Sequence, residues 1–170
     1  MKERSPWCGE PKEKFMSRIF KYVISLFVLL SAQTLAAPSA VETFDKSAWS
    51  ALLSEQRQPA IIVFSSVSCT HCPGAIDRLA AHRATGRSAT RLYVVLMDSE
   101  DDAVALNSTH HRLADRLFAF RGRAQALQYA VNPDWRGMTP YIAYVDGKGG
   151  VRFVLGEPDD RTLRSWLSVK

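Results

Sequence analysis

The amino-acid sequence predicts an α/β protein with a mixed central sheet and helices on both of its faces. Two runs, 60–64 and 91–97, are apolar at every position except Arg91 and contain β-branched residues, the composition of strands covered on both faces. Segments with apolar residues at helical spacing separate and surround them. Two further apolar runs flank a Gly-rich turn, which is typical of an antiparallel hairpin. This order of elements indicates one sheet between two layers of helices.

The first 37 residues are predicted to be a secretory signal peptide and not part of the fold. A basic stretch at 16–21 precedes an apolar core at 23–30, and Leu35-Ala36-Ala37 supplies a small-residue cleavage site. Met16 opens a better leader than Met1 does, which favours a start there. The apolar run is shorter than the roughly 20 residues of a membrane-spanning helix, so an uncleaved anchor is the less favoured alternative.

Residues 38–170 are expected to form one domain with a single hydrophobic core. Asp45 precedes a helix predicted over 46–56 and is placed to cap it. The strand at 60–64 follows and leads directly to two cysteines. A second helix is predicted over 73–85, because its apolar residues recur at helical spacing.

The middle of the domain begins with the strand at 91–97. The acidic residues that follow this strand suit the start of a helix, where the helix dipole favours negative charge. The stretches 103–120 and 125–131 carry apolar residues every three or four positions, and both are predicted to be helical.

The end of the domain is predicted to be a hairpin followed by a helix. The runs 141–145 and 151–155 flank the turn at 146–150, which is rich in glycine. Asp159 or Asp160 is placed to cap the last helix.

The charge pattern argues against nucleic acid as a partner. The formal net charge is +5 at pH 7, and much of it comes from the predicted leader. The arginines of the remaining chain are interspersed with acidic residues, which is typical of a solvated surface. His82, His110 and His111 are likewise expected at solvated helical positions.

Cysteine usage is the clearest global signal in the sequence. The chain has three cysteines, and removal of the leader with Cys8 leaves only Cys69 and Cys72. In an oxidising compartment these two can pair only with each other within the chain. The loop-entropy model gives about 2 kcal/mol for so small a disulfide ring, against about 4.7 kcal/mol for a 100-residue loop. A purely structural bridge is therefore the weaker interpretation.

The position of the pair predicts redox catalysis. Helix-compatible sequence begins near Cys72, and this puts Cys69 at the positive end of a helix dipole, where a thiolate is stabilised. Pro73 fits the first turn of a helix, where an N–H has no helical partner. Cys69 is therefore the predicted exposed nucleophile, and the less accessible Cys72 resolves the mixed disulfide.

His71 lies between the two cysteines and is a candidate catalytic residue. A protonated imidazole beside the thiolate would stabilise the reduced form and make the disulfide more oxidising. A solvated histidine without such a role is the alternative. Haem attachment needs His directly after the second cysteine, where this chain has Pro73. The histidines show no established zinc spacing, so no metal site is predicted, and a copper-binding module of the same fold is the alternative function.

Three features of the chain resemble the thioredoxin superfamily, over about residues 41–169. They are the strand, loop and helix around Cys69 and Cys72, the Thr139-Pro140 step before a strand, and the Asp146-Gly147 hairpin leading to Gly156 before a final helix. The resemblance implies a thioredoxin-like three-layer sandwich. It also implies a cis peptide bond between Thr139 and Pro140, with substrate bound at this pair, whereas a trans proline that starts a strand is the alternative.

The longer segment between the second strand and Pro140 is similar to that of the periplasmic TlpA-like reductases. This similarity implies a periplasmic thiol-disulfide oxidoreductase without a bound cofactor. Its partners would be protein thiols and disulfides and a membrane or periplasmic electron-exchange partner. Reduction is favoured over oxidation or isomerisation, and a monomer is expected.

Two departures from the family pattern concern the cysteine pair. Ser68 stands where a tryptophan usually precedes the first cysteine, and Val63 stands where thioredoxin has a buried acid. Proton transfer from Cys72 is therefore left without an evident base. The Thr70-His71 dipeptide is closer to the oxidising members of the family, which leaves the direction of electron flow open.

Overall fold

The computed structural model describes residues 37–54, 58–85, 90–99 and 101–167. Residues 1–36 of the predicted leader lie outside the described residues, and the cleavage site and the alternative start stay predictions. Among the described residues, no helix combines the length and the apolar character needed to cross a membrane.

One sheet organises the described part of the chain. Its strands are β1 Val41–Phe44, β2 Ala60–Ser65, β3 Arg91–Leu96, β4 Arg116–Phe120, β5 Tyr141–Val145 and β6 Val151–Leu155. They lie side by side in the order β1-β4-β3-β2-β5-β6. The first four are parallel to one another, whereas β5 is antiparallel to both β2 and β6. The prediction of a mixed sheet is confirmed.

Helices cover both faces of this sheet. They are α1 Lys46–Ser54, α2 Cys72–Thr85, α3 Asp102–Asn107, α4 Ala124–Val131 and α5 Asp160–Leu167, with a 3₁₀ turn at His111–Leu113. Trp49 of α1 and Leu127 of α4 belong to one hydrophobic core. Ile76 of α2, Ala105 of α3 and Trp166 of α5 belong to the other. Because β2 contributes alternate residues to each core, the sheet is buried on both faces.

Aspartates cap three of these helices, because each supplies an acceptor to an unpaired amide of the first turn. The Ala48 amide donates to Asp45 at 2.8 Å, and the Thr162 amide donates to Asp159 at 2.7 Å. Asp101 accepts the Ala103 amide at 2.8 Å and also the Val104 amide. The predicted caps Asp45 and Asp159 are confirmed, whereas the helix predicted from residue 103 begins at Asp102.

The prediction of one helix over 103–120 is wrong, because the chain turns at His111–Leu113 and then forms β4. Leu117 lies in one core, and Phe118 and Phe120 lie in the other, which is the alternation of a strand. A short apolar run fits the periodicity of a helix as well as that of a strand. Parallel pairing with β3 on one side selects the strand. On its other side β4 pairs with β1, a strand that the sequence pattern did not predict.

Candidate active site

Cys69 and Cys72 are joined by a disulfide at the end of β2. The two Sγ atoms are 2.12 Å apart, and the Cα atoms are 5.4 Å apart. Cys69 is partly exposed in the loop, whereas Cys72 begins α2 and is only 1% exposed. One sulfur is therefore within reach of solvent, and the other is covered by the fold.

Backbone hydrogen bonds wind the chain from the loop into α2. The Cys69 amide donates to the Ser66 carbonyl at 3.1 Å, and the Cys72 amide donates to the Cys69 carbonyl at 3.3 Å. The Ala75 amide then donates to the His71 carbonyl, so helical bonding begins within the motif. Pro73 lies in the first turn, where a missing N–H removes no helical bond. Cys69 thus precedes a helix N-terminus, where negative charge is favoured.

Asp98 holds the loop that carries Cys69. It follows β3, the parallel neighbour of β2. Its carboxylate accepts the Ser66 hydroxyl at 2.8 Å and the Val67 amide at 2.9 Å. The Ser66 hydroxyl oxygen in turn accepts the Ser68 amide at 3.2 Å. A single carboxylate therefore ties the residues just before the nucleophile to the next strand.

Thr139 and Pro140 lie on the opposite side of β2. Phe64 of β2 pairs with Tyr141 of β5, so Pro140 comes next to the end of β2 from which the cysteine loop leaves. The Thr139–Pro140 peptide bond is cis, and the Pro140 carbonyl accepts the Gly156 amide at 2.8 Å. The sheet therefore brings the proline and the cysteine loop to one edge, although they are far apart in sequence.

The segment before Pro140 is fixed by an aromatic anchor that the sequence analysis missed. Trp135 is 5% exposed, and its ring stacks on Tyr141 with centroids 4.6 Å apart. Its indole N–H donates to the Met138 carbonyl at 2.9 Å. Asn132 donates to the Tyr141 hydroxyl at 2.6 Å. A tryptophan in the loop that leads to Pro140 is the sequence signal that points to such an anchor.

A cavity of about 240 Å³ adjoins the cysteine loop on the β3 side. It is lined by Ser65, Ser66, Val67, Cys69, Pro73, Leu96, Ser99, Val104, Ala105, Ser108 and His111. The cavity lies beyond the carboxyl ends of the parallel strands β2 and β3, where open α/β sheets place their ligands.

His111 lines this cavity, so the prediction of a solvated surface position for it is wrong. Its ring is partly buried, and its Nδ1 lies 3.0 Å from the Ala105 carbonyl oxygen. Burial lowers the pKa of His111, the Ala105 hydrogen bond opposes this shift, and the charge of His110 adds to it. The neutral ring is therefore favoured.

The remaining candidate residues are scattered around the site. His71 and Ser68 are exposed in the motif and its loop, and Val63 is fully buried in β2. His110 pairs with Asp77 on α2, with their atoms 2.7 Å apart. Among the described residues, no three His, Cys, Asp or Glu side chains are grouped as a metal ion would require.

Comparison with known proteins rests on solved structures. The chain matches no protein-family model and no curated protein. A secreted thiol-disulfide isomerase from Corynebacterium glutamicum has a TM-score of 0.54 at 12% identity, over 68% of this chain and 72% of that one. A thioredoxin-related protein from Neisseria meningitidis serogroup B has a TM-score of 0.53 at 13% identity, over 69% of this chain and 87% of that one. This chain has a thioredoxin-like fold.

A third structure agrees with this assignment. A secreted disulfide oxidoreductase from Mycobacterium tuberculosis has a TM-score of 0.50 at 15% identity, over 81% of this chain and 98% of that one. At such low identities the likeness establishes the fold alone. The predicted fold class and the resemblance to the thioredoxin superfamily are confirmed at that level.

Proposed function

We propose that this chain is an exported thiol-disulfide oxidoreductase that exchanges disulfides with protein substrates through Cys69 and Cys72. The observation that carries the proposal is the asymmetry of the pair. Cys69 is partly exposed before the N-terminus of α2, whereas Cys72 is 1% exposed one turn later. Exchange of disulfides needs one thiolate that a client can reach and a second thiol that is protected until the client is attached.

The reaction in the reducing direction has two displacements. The Cys69 thiolate attacks one sulfur of the client disulfide, and the other client sulfur leaves as a thiolate that takes up a proton. Cys72 then loses its proton and attacks Cys69, which forms the 69–72 disulfide and releases the second client thiol. The client gains two electrons and two protons, and the cysteine pair loses the same number.

Thr139 and Pro140 are proposed to bind the client next to this disulfide. The register of β2 and β5 supports the proposal, because it brings Pro140 to the edge of the sheet where the cysteine loop begins. Pro140 is buried, Thr139 is partly exposed, and Met138 before them is 55% exposed. An extended client segment would lie across this edge.

The direction of electron flow is proposed to be reduction of client disulfides. The resemblance of the middle segment to TlpA-like reductases supports this direction, while His71 in the motif is proposed to make the pair more oxidising. The secreted relatives in the structural comparison and the predicted leader support export, with the periplasm as the proposed compartment. The protein is proposed to work as a monomer without a cofactor, recharged by a membrane or periplasmic electron-exchange partner.

The experiment that tests this function is capture of a mixed disulfide. The Cys72→Ala variant is reduced, freed of reductant and incubated with an oxidised model client, and adducts are separated on non-reducing gels and mapped by peptide mass spectrometry. A client disulfide-linked to Cys69 is expected, because the resolving thiol is gone. The Cys69→Ala variant is the matched control and should form no adduct. Equal trapping by both variants, or by neither, contradicts the proposal.

A further inference from the structure

A histidine far from the cysteine motif in sequence shares a cavity with Cys69. Cys69 and Pro73, around the start of α2, and Ala105, Ser108 and His111, on α3 and after it, all line the cavity of about 240 Å³. Water occupies ~30 Å³ in the liquid, so a cavity of this volume has room for more than one molecule. Cys69 and His111 therefore border one space that is large enough for water.

The hydrogen bond of His111 determines which of its two ring nitrogens can accept a proton. Nδ1 lies 3.0 Å from the carbonyl oxygen of Ala105, and a carbonyl oxygen only accepts hydrogen bonds. Nδ1 therefore carries a hydrogen, and in the neutral ring the free lone pair is on Nε2. Burial lowers the pKa of His111, which keeps that lone pair available near neutral pH.

Among the described residues that line the cavity, no other side chain competes with His111 as a proton acceptor for Cys69. Apart from Cys69 itself, the other lining residues are serines and apolar side chains, which do not titrate near neutral pH. Val63 is fully buried in β2, at the position where the family resemblance would place a buried acid. That acid would serve Cys72, and valine offers no base to Cys69 either.

We propose that His111 accepts the proton of the Cys69 thiol in the reduced protein, and this inference rests on the proposed function of the cysteine pair. The S–H bond of Cys69 breaks, its electron pair stays on sulfur, and the proton binds Nε2 of His111 directly or through one water. The thiolate attacks the client, and the imidazolium returns its proton to the client thiolate that leaves. No other reactant is needed, and His111 ends as it began.

Charged groups also lie on the elements around the turn that carries His111. They are His110 and Arg112 on the turn itself, Asp77 and Arg83 on α2, Asp101 and Asp102 at the start of α3, and Asp98, whose carboxylate accepts hydrogen bonds from the lining residues Ser66 and Val67. Asp77 contacts His110, Arg83 contacts Asp115, and Arg121 contacts Asp102. The charge that acts on His111 most directly is that of His110, which opposes protonation.

The first test compares the pKa of His111 in the oxidised and reduced protein by NMR of the histidine rings. Reduction is expected to raise the pKa of His111, because a thiolate across the cavity stabilises the imidazolium. An identical pKa of His111 in the two states overturns the proposal, and this test needs no variant.

The second test measures the pH profile of Cys69 alkylation by iodoacetamide, resolved by peptide mass spectrometry. His111→Asn keeps an N–H for the Ala105 carbonyl but cannot accept a proton, so alkylation at about pH 6 should slow roughly tenfold. The His82→Asn control, at a residue that does not line the cavity, should follow the wild type. Superimposable profiles of the wild type and the His111→Asn variant overturn the proposal.

The two proposals fail in different ways. If Cys69 reacts readily in every variant with the same pH profile, the role of His111 is wrong and the cysteine function stands. If Cys69 of the reduced wild type does not react at all, the proposed function itself fails, and the inference fails with it.

Discussion

The two flanks of β2 differ in chemistry at the point where the cysteine loop begins. On the β5 flank, Trp135 stacks on Tyr141, and Tyr141 stacks on Phe153 with ring centroids 5.4 Å apart. On the β3 flank, Asp98 ties the loop through hydrogen bonds, and His111 lines a cavity. Packing fixes the first flank, and polar contacts organise the second.

This difference separates two tasks of the proposed site. The aromatic flank fixes backbone around Pro140 and so suits the binding of a client segment. The polar flank holds the loop of Cys69 and offers a group that takes up a proton, so it suits control of thiol reactivity. Changes on the aromatic flank should mainly alter stability, whereas changes on the polar flank should mainly alter rates.

The largest expected effect is on the aromatic flank. Trp135→Ala removes a ring that is 5% exposed and contacts both Phe64 and Tyr141. The free energy of unfolding should fall by about 3–5 kcal/mol in urea titrations, because a large cavity replaces the ring. Tyr129→Ala, at a side chain that is 67% exposed, is the control and should change it by less than about 0.5 kcal/mol. Equal effects of the two variants would contradict the anchoring role of Trp135.

Asp98→Ala should have the next largest effect and should act mainly on rate. It releases the Ser66 hydroxyl and the Val67 amide, so the loop before Cys69 loses its tie to β3. The free energy of unfolding should fall by about 1 kcal/mol, since these bonds are exposed to water.

Asp98→Ala should also lower the rate of mixed-disulfide formation, as measured by quenched-flow trapping of a model client. Asp134→Ala, an exposed aspartate on the aromatic flank, is the matched control and should leave this rate unchanged. A rate unaffected by Asp98→Ala would show that the loop does not need the tie.

A smaller effect is expected from the hydrogen bond between Asn132 and Tyr141. Asn132→Ala and Tyr141→Phe each remove it and should each lower the free energy of unfolding by about 1 kcal/mol. The double variant should lose less than the sum, because both changes break the same bond. Strict additivity in a thermodynamic cycle would contradict this coupling.

The smallest expected effect is a pH dependence of stability from His111. Its pKa is lowered in the folded protein by burial, so the unfolded chain binds more protons as the pH falls below about 6.5. The oxidised protein should therefore lose stability in that range, and the His111→Asn variant should lose less. Parallel curves of stability against pH for the two proteins would contradict the burial of a neutral His111.

The fold could be predicted where one segment carries its own signal. The unbroken apolar run before Cys69 and the proline after Cys72 indicate a buried strand followed by a helix, and the structure has both. The run at 116–120 is short and apolar at almost every position, so its period does not separate helix from strand. Only pairing with β3 and β1 makes this run a strand, and the residues of the run itself do not show that pairing.

The sequence pointed to the cysteine motif and Pro140 as site residues, but it did not point to Asp98 or to the cavity position of His111. Asp98 is 31 residues from Val67, which it contacts, and parallel pairing of β2 with β3 brings them together. His111 follows a short helix after the same strand, where a surface position was expected. Such contacts arise from the crossover between strands, so sequence spacing does not show them.

The most direct test of the central claim is the relative reactivity of the two thiols. The purified protein is reduced, exposed briefly to iodoacetamide at neutral pH, quenched and analysed by peptide mass spectrometry. Because Cys69 is partly exposed and Cys72 is 1% exposed, modification of Cys69 with Cys72 protected is the predicted result. A Cys69 that stays unmodified in the folded protein, or a Cys72 that reacts first, would contradict the account.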